Sequence, residues 1–161
     1  MILDEPDTRR ILAFLESVGI AVSREQLAGE TFLPGLAVRD GALVVDAERL
    51  EWPGDLLHEA GHIAVTEPAA RPGLNAVADD PGEEMAAIAW SYAAAVEIGL
   101  DPAILFHDGG YRGGSKAMIA NFTAGRDVGV PMLEYFGMTA GRARTAAAGA
   151  RPYPHMERWL R

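Results

Sequence analysis

Residues 54–65 read GDLLHEAGHIAV. Within this stretch His58 and His62 are four residues apart, a spacing that places two side chains one above the other on the same face of an α-helix. Two imidazoles in that arrangement can bind one metal ion through ring nitrogens, and the intervening Glu59 projects beside the same face. The stretch therefore predicts a helix that carries a metal site.

The residues around this motif set the ends of the predicted helix. Pro53 suits the first turn, where its missing N–H is not needed, and the sequence Thr-Glu-Pro at 66–68 ends the helical pattern. Gly61 is a poor helix former, by about 1 kcal/mol relative to Ala, and its presence indicates that another element packs closely against this turn. We therefore expect one buried helix over Gly54–Val65.

A catalytic zinc site needs a third protein ligand and an open position for water. A metzincin would have Gly three residues after His62 and His at the sixth, but Val65 and Pro68 stand there, which excludes that class. The other two histidines are His107 and His155, and neither has ligand-like neighbours in the sequence. Either of them could still approach the motif in space.

The next long helix, predicted over Glu83–Ile98, offers a carboxylate ligand. Glu83 and Glu84 begin it, 21 and 22 residues after the second histidine, and both lie on helix stripes that look buried. We favour Glu84, with Glu83 as the alternative and Asp79 or Asp80 as a weaker one. Small Ala residues around these positions would let the two helices approach closely.

The rest of the chain predicts an α+β domain. Asp40-Gly41 between two apolar runs is a hairpin signal, which predicts paired strands at Leu36–Arg39 and Ala42–Asp46 and a small antiparallel sheet. The other predicted helices are one that begins at Asp7 or Thr8 and runs to Val18, Arg24–Ala28, one from Asp101-Pro102 to about Phe106, Lys116–Ala124, Pro131–Gly137, and a short last helix near His155–Leu160.

Charge divides the chain into an acidic body and a basic tail. Residues 1–137 hold 9 Lys and Arg against 22 Asp and Glu, a charge of −13, whereas residues 138–161 hold 5 Arg and 1 Glu, a charge of +4. We therefore expect a domain over 1–137 and a basic tail over 138–161, in which the Ala-rich piece Thr145–Ala150 links the body to the short last helix. An acidic body argues against a nucleic-acid partner, because affinity for phosphates comes mainly from Lys and Arg. The arginines of the tail are Arg142, Arg144, Arg151, Arg158 and Arg161.

Composition narrows the classes further. The 161 residues contain no cysteine, which excludes a disulfide scaffold, a Cys-ligated zinc site and a thiol nucleophile. The first seven residues are acidic and lack the apolar segment of a signal peptide. No stretch is as long and apolar as a membrane span requires. We expect a cytoplasmic protein whose metal ligands are His and carboxylate.

Two segments resemble a known family. The sequence LLHEAGHI at 56–63, followed by EEMAAIAW at 83–90, is similar to the ImmA/IrrE family of small zinc metallopeptidases. The resemblance covers roughly residues 35–100 and implies a minimal zincin-like (gluzincin) domain, with a small sheet before the active-site helix and a mostly helical remainder. It also implies Zn²⁺ ligands His58, His62 and Glu84, and Glu59 as catalytic base.

The motif and the resemblance together predict a zinc metallopeptidase that acts on a peptide or protein substrate. A carboxylate beside a metal-bound water can take its proton for attack on an amide carbonyl. The oxyanion that forms needs a further donor, and the Gly-rich loop 107–115 supplies two candidates, His107 and Tyr111. The alternative is a non-catalytic zinc-binding regulatory module that binds a protein partner.

Overall fold

The computed structural model of the chain describes residues 1–126, 128–141 and 149–161. Over these ranges the chain forms three strands and six α-helices, with three single 3-10 turns at Ile2–Asp4, Arg71–Gly73 and Tyr111–Gly113. The predicted α+β class is confirmed. The elements are α1 (Pro6–Ser17), β1 (Val22–Arg24), β2 (Leu36–Arg39), β3 (Ala42–Val45), α2 (Gly54–Val65), α3 (Pro81–Glu97), α4 (Pro102–Leu105), α5 (Ser115–Thr123) and α6 (Val130–Tyr135).

The sheet has the strand order β1-β3-β2. The predicted hairpin is confirmed: β2 and β3 pair antiparallel, and the turn residues Asp40 and Gly41 both have left-handed backbone, with φ of 50° and 74°. Such a two-residue turn matches the twist of the strands that it joins. The alternating strand β2 faces the core with Leu36 and Val38, whereas three of the four β3 residues are buried.

The third strand corrects two predictions. The sheet is mixed, not antiparallel throughout, because β1 pairs parallel with β3 in the register Val22 opposite Leu43. The short helix predicted over Arg24–Ala28 does not form, since Arg24 belongs to this strand. The Ser23 hydroxyl donates to the Glu25 side chain.

Helices α2 and α3 pack against each other at the centre of the molecule, and α2 also contacts β2 and β3. The bounds of α2 are the predicted ones. A Cβ added at Gly61 would lie 2.7 Å from the carbonyl oxygen of Ala87, a distance that no side chain tolerates. The expected close packing at this glycine is therefore confirmed, and the backbone of α3 is what packs there.

The C-terminal segment corrects another prediction. Residues 155–160 form bends and one β-bridge, Thr139 with Met156, where we expected a short helix. The indole of Trp159 packs edge-on against Phe14 and Trp90, and its carbonyl accepts a hydrogen bond from the Trp90 indole N–H. These long-range contacts override the local helical pattern. Arg142, Arg144 and most of the predicted linker lie outside the described residues.

Arg71 and the C-terminal segment pack at the end of α2 and provide hydrogen-bond partners there. The guanidinium of Arg71 donates to the carbonyl oxygens of Ile63, Thr66 and Arg161, and the backbone N–H of Arg161 donates to Ala64. Carbonyls at the end of a helix have no partner within the helix, so these contacts satisfy them.

No helix in the described part of the chain is long and apolar enough to cross a bilayer.

Candidate metal centre

Helix α2 directs both of its histidines to one point. The Nε2 atoms of His58 and His62 lie 3.3 Å apart, and their rings meet edge to face. The His62 side chain is 5% exposed and that of His58 is 12% exposed, so both imidazoles are largely withdrawn from water. The predicted placement of the pair on one helix face is confirmed.

Helix α3 brings the carboxylate of Glu84 to the same point. Its Oε1 lies 3.3 Å from Nε2 of His58, and its Oε2 lies 2.8 Å from Nε2 of His62. One ligand atom from each of these three residues lies within 4.8 Å of the others, so the group could hold a metal ion. The carboxylate is 45% exposed and forms the open side of the group.

The alternatives for the third ligand lie elsewhere. Glu83, the neighbour of Glu84, follows the cap of α3, where its backbone N–H donates to Oδ1 of Asp80. Asp80 is thereby used as the helix cap, and neither it nor Asp79 belongs to the group. The carbonyl of His155 accepts a hydrogen bond from Thr139 in the C-terminal segment.

The distances fit a small tetrahedral ion. Zinc–nitrogen bonds of about 2.0–2.1 Å at tetrahedral angles place neighbouring ligand atoms about 3.3 Å apart. The two Nε2 atoms are 3.3 Å apart, and they lie 3.3 and 2.8 Å from Oε1 and Oε2 of Glu84, respectively. Two imidazoles and a carboxylate are also a donor set found at catalytic zinc sites, which keep a fourth position open. The residues present therefore fit Zn²⁺.

The two carboxyl groups nearest the histidines have opposite pKa shifts. Hydrogen bonds with His58 and His62 lower the pKa of Glu84, which keeps this carboxylate ionised and ready to act as a ligand. Burial raises the pKa of Glu59, although both imidazoles pull it down. A carboxylate with a raised pKa is a stronger base, as a group that accepts a proton needs to be.

Tyr111 contacts His58 at the ring nitrogen that does not face the other two residues of the group. Its hydroxyl is 3.4 Å from Nδ1 of His58, the ring nitrogen that does not face Glu84, and the two rings meet at 88°. Burial, with smaller contributions from the Asp55 and Glu84 carboxylates, raises the pKa of Tyr111, so the phenol stays protonated. Of the two predicted oxyanion donors, this one touches a residue of the group.

The other predicted donor, His107, is buried beside α2. Its Nε2 lies 2.8 Å from Oδ1 of Asp55, and the ring of Trp52 stacks on it. The sequence analysis missed Asp55, although a signal was present: it is an acidic residue next to the apolar pair Leu56 and Leu57, one turn before His58. The pairing with His107 spans 52 positions and has no local signature.

A cleft of ≈ 780 Å³ opens beside the group. That volume lies in the range of pockets that bind ligands. Its lining is mostly apolar, with carboxylates on one part and the guanidinium of Arg112 on another. The residues that the cleft shares with the group are His58 and Glu84, and the apolar lining includes Phe32, Ala78, Pro81, Ile88, Ala117 and Met118.

Comparison with protein-family models, with curated proteins and with solved structures found no match to this chain. The site is therefore described by the side chains that it brings together. Two imidazoles and one carboxylate come together from two packed helices at the edge of a cleft, and the carboxyl of Glu59, between the two histidines in the sequence, is largely withdrawn from water.

Proposed function

We propose that the chain is a zinc-dependent peptide hydrolase of the zincin-like type, with a peptide or protein as substrate. The observation that carries this is the convergence of His58, His62 and Glu84 within 4.8 Å at the edge of a cleft, with Glu59 beside them. The similarity of residues 56–63 and 83–90 to the ImmA/IrrE family supports the same function.

Zn²⁺ held by these three residues would polarise the substrate carbonyl and make water a better nucleophile near neutral pH. Imidazole ligands bind in their neutral form, so each keeps its ring proton on Nδ1 and offers Nε2. Glu84 offers an ionised carboxylate, because its pKa is lowered by the two histidines. The 45% exposure of this carboxylate leaves one side open to the cleft.

Glu59 supplies the proton transfers of amide hydrolysis. Its carboxylate accepts a proton from the attacking water, whose oxygen bonds to the amide carbon. The same carboxyl then gives the proton to the nitrogen as the C–N bond breaks, and the products are a carboxylic acid and an amine. Burial raises the pKa of Glu59, which favours both the acceptance of the proton and its retention until the amine leaves.

The test separates metal binding from catalysis. We expect purified wild-type protein to retain close to one equivalent of zinc and to cleave members of a peptide library. Glu59→Gln keeps the zinc and loses cleavage by at least about 100-fold, the size expected for a general base. If zinc is bound and no peptide is cut by any preparation, the chain is a zinc-binding regulatory module instead.

Neighbouring glutamates provide a matched control. Glu84→Gln removes a charged ligand, and we expect it to lose most of the bound zinc. Glu83→Gln makes the same chemical change one residue earlier on α3 and should retain zinc, because Glu83 lies outside the group. Equal zinc contents in the two variants would contradict the proposed ligand set.

A further inference from the structure

We propose that Asp55, His107 and Trp52 form a clasp that holds the loop 107–114 against α2 and thereby positions Tyr111 on the His58 imidazole. The clasp is a positioning device, and it rests on the proposed function because its effect is exerted on a metal ligand. The loop contacts the site only through Tyr111 among the described hydrogen bonds, so the position of this one side chain is what the clasp controls.

The first contact of the clasp is a buried polar pair. Oδ1 of Asp55 and Nε2 of His107 are 2.8 Å apart, with side chains 6% and 5% exposed. A carboxylate withdrawn from water needs a hydrogen-bond donor, and the imidazole N–H is the donor that the structure supplies. Breaking this pair would leave a buried charge without its partner, so the start of the loop is tied to the first turn of α2.

The second contact is a stack that closes over the pair. The Trp52 and His107 rings are 4.4 Å apart and within 5° of parallel. The loop backbone passes close to both rings: a Cβ added at Gly109 would lie 2.9 Å from the Trp52 ring, and one at Gly110 would lie 3.1 Å from the His107 ring. Two successive glycines therefore allow the chain to follow the surface of the clasp.

The loop beyond the clasp is strained. Tyr111 and Arg112 have left-handed backbone, with φ of 56° and 52°, a conformation that residues with a side chain adopt rarely and at a cost in energy. Such a conformation persists only when neighbouring contacts enforce it. The clasp holds the chain just before these residues and helix α5 (Ser115–Thr123) holds it just after them.

This arrangement brings the Tyr111 hydroxyl into contact with His58. At 3.4 Å the Tyr111 oxygen can accept a hydrogen bond from Nδ1–H of His58, which fixes the proton on that nitrogen and leaves Nε2 free to bind a metal. Nδ1 of His107 is buried and has no hydrogen-bond partner among the described residues. The one hydrogen bond described for the His107 ring is thus the one to Asp55, as expected of an anchor rather than of a group that meets substrate.

The experiment is a double-mutant cycle on zinc affinity in the full chain, measured by competition with a chromophoric chelator. Losing a hydrogen-bond partner of a metal ligand typically weakens binding about 10- to 100-fold. We expect Tyr111→Phe and His107→Leu each to raise the zinc Kd by about 10-fold. We expect the double variant to bind as Tyr111→Phe does, because the clasp acts through this hydroxyl. Independent, additive losses would overturn the proposal.

A second readout needs no metal. Amide hydrogen exchange over residues 108–114 of the zinc-free protein should become faster in His107→Leu and stay as in wild type in Tyr111→Phe. His107→Gln, whose amide can still donate to Asp55, should restore slow exchange and zinc affinity. If His107→Leu does not fold, Trp52→Ala replaces it, because that change removes the stack and leaves the buried pair intact.

The controls separate this proposal from the proposed function. His155→Leu and Tyr135→Phe make the same kinds of change outside the site and should bind zinc as wild type does. Wild-type protein that binds zinc while the clasp variants show unchanged affinity contradicts the clasp alone. A wild type that binds no zinc contradicts both proposals.

Discussion

The candidate metal centre lies between two walls that are held in place by different kinds of contact. On one side, α2 meets α3 backbone to backbone, with Gly61 against the carbonyl of Ala87. On the other side, the loop 107–114 is held by side chains, through the Asp55–His107 pair and a stacked indole. The helix wall supplies the candidate ligand atoms, and the loop wall supplies a contact to the other ring nitrogen, Nδ1, of His58. One side of the candidate site is thus held by backbone contacts and the other by side-chain contacts.

The largest expected effect is at the helix wall. Gly61→Val places a branched side chain where even a Cβ would lie 2.7 Å from a carbonyl oxygen, and neither backbone can yield without separating the helices. We expect a loss of about 4 kcal/mol or more in the free energy of unfolding, measured by urea denaturation. Gly73→Ala, at a glycine with nothing within 4 Å, should change it by less than about 0.5 kcal/mol. A stable Gly61→Val protein would show that the helix wall is not rigid.

The second largest expected effect is the gain in the free energy of unfolding on zinc binding, because zinc would bind side chains of both helices. A ligand that binds only the folded state at a hundred times its Kd adds about 2.7 kcal/mol to the free energy of unfolding. We expect that gain for wild type and almost none for His62→Ala, in parallel denaturation curves with zinc and with a chelator. A zinc response that survives this substitution would place the binding site elsewhere.

A smaller effect is expected at the loop wall. A Cβ at Gly110 would lie 3.1 Å from the His107 ring, and the backbone there, at φ −115°, accepts any residue. Because a side chain can shift where a backbone cannot, Gly110→Ala should cost about 1 kcal/mol by the same urea measurement. A loss as large as that at Gly61 would mean that the two walls are equally rigid.

The smallest effect concerns Glu84 in the zinc-free protein. Its pKa is lowered in the folded state from an unfolded value near 4.5, so its stabilisation is fully present above that pH and is lost as the pH falls through the folded value. We expect wild type to exceed Glu84→Gln in stability at pH 7 and the difference to shrink below about pH 4.5. The effect is small because the carboxylate is 45% exposed and water screens it. A difference that grows toward pH 3 would contradict this.

Local signals in the sequence predicted the part of the fold that bears the ligands. Pro53 and the residues after Val65 set the ends of α2, and the Asp40-Gly41 turn set the hairpin, because each feature depends on neighbours along the chain. The strand β1 was not predicted, and its last residue, Arg24, was placed in a short helix. Its pairing with β3 is parallel and joins Val22 to Leu43, a contact that no short window of sequence contains.

In the candidate site, too, some residues could be predicted from the sequence and others could not. The spacing of His58 and His62 is a property of one helix, so it could be predicted from the sequence. The distance beyond them left Glu83 and Glu84 as candidates, of which Glu84 was favoured. The clasp could not be predicted, because Asp55 and His107 are 52 positions apart and their meeting depends on how α4 and the following loop return to α2. A Cβ at Gly54 would overlap the Ile104 carbonyl oxygen, which shows how closely that return is packed.

The contact at Gly61 has a consequence for which ions the protein could accept. Two of the three candidate ligand atoms belong to α2 and the third to α3, so the spacing of the helices limits the radius of the space between those atoms. Bonds of about 2.0–2.1 Å suit that space, whereas a calcium ion, with bonds of about 2.3–2.6 Å and six or more oxygen ligands, would require the helices to separate. Discrimination against large ions would thus depend on Gly61, although this glycine would not itself contact the ion. A variant with a different metal preference would first need a change at this position.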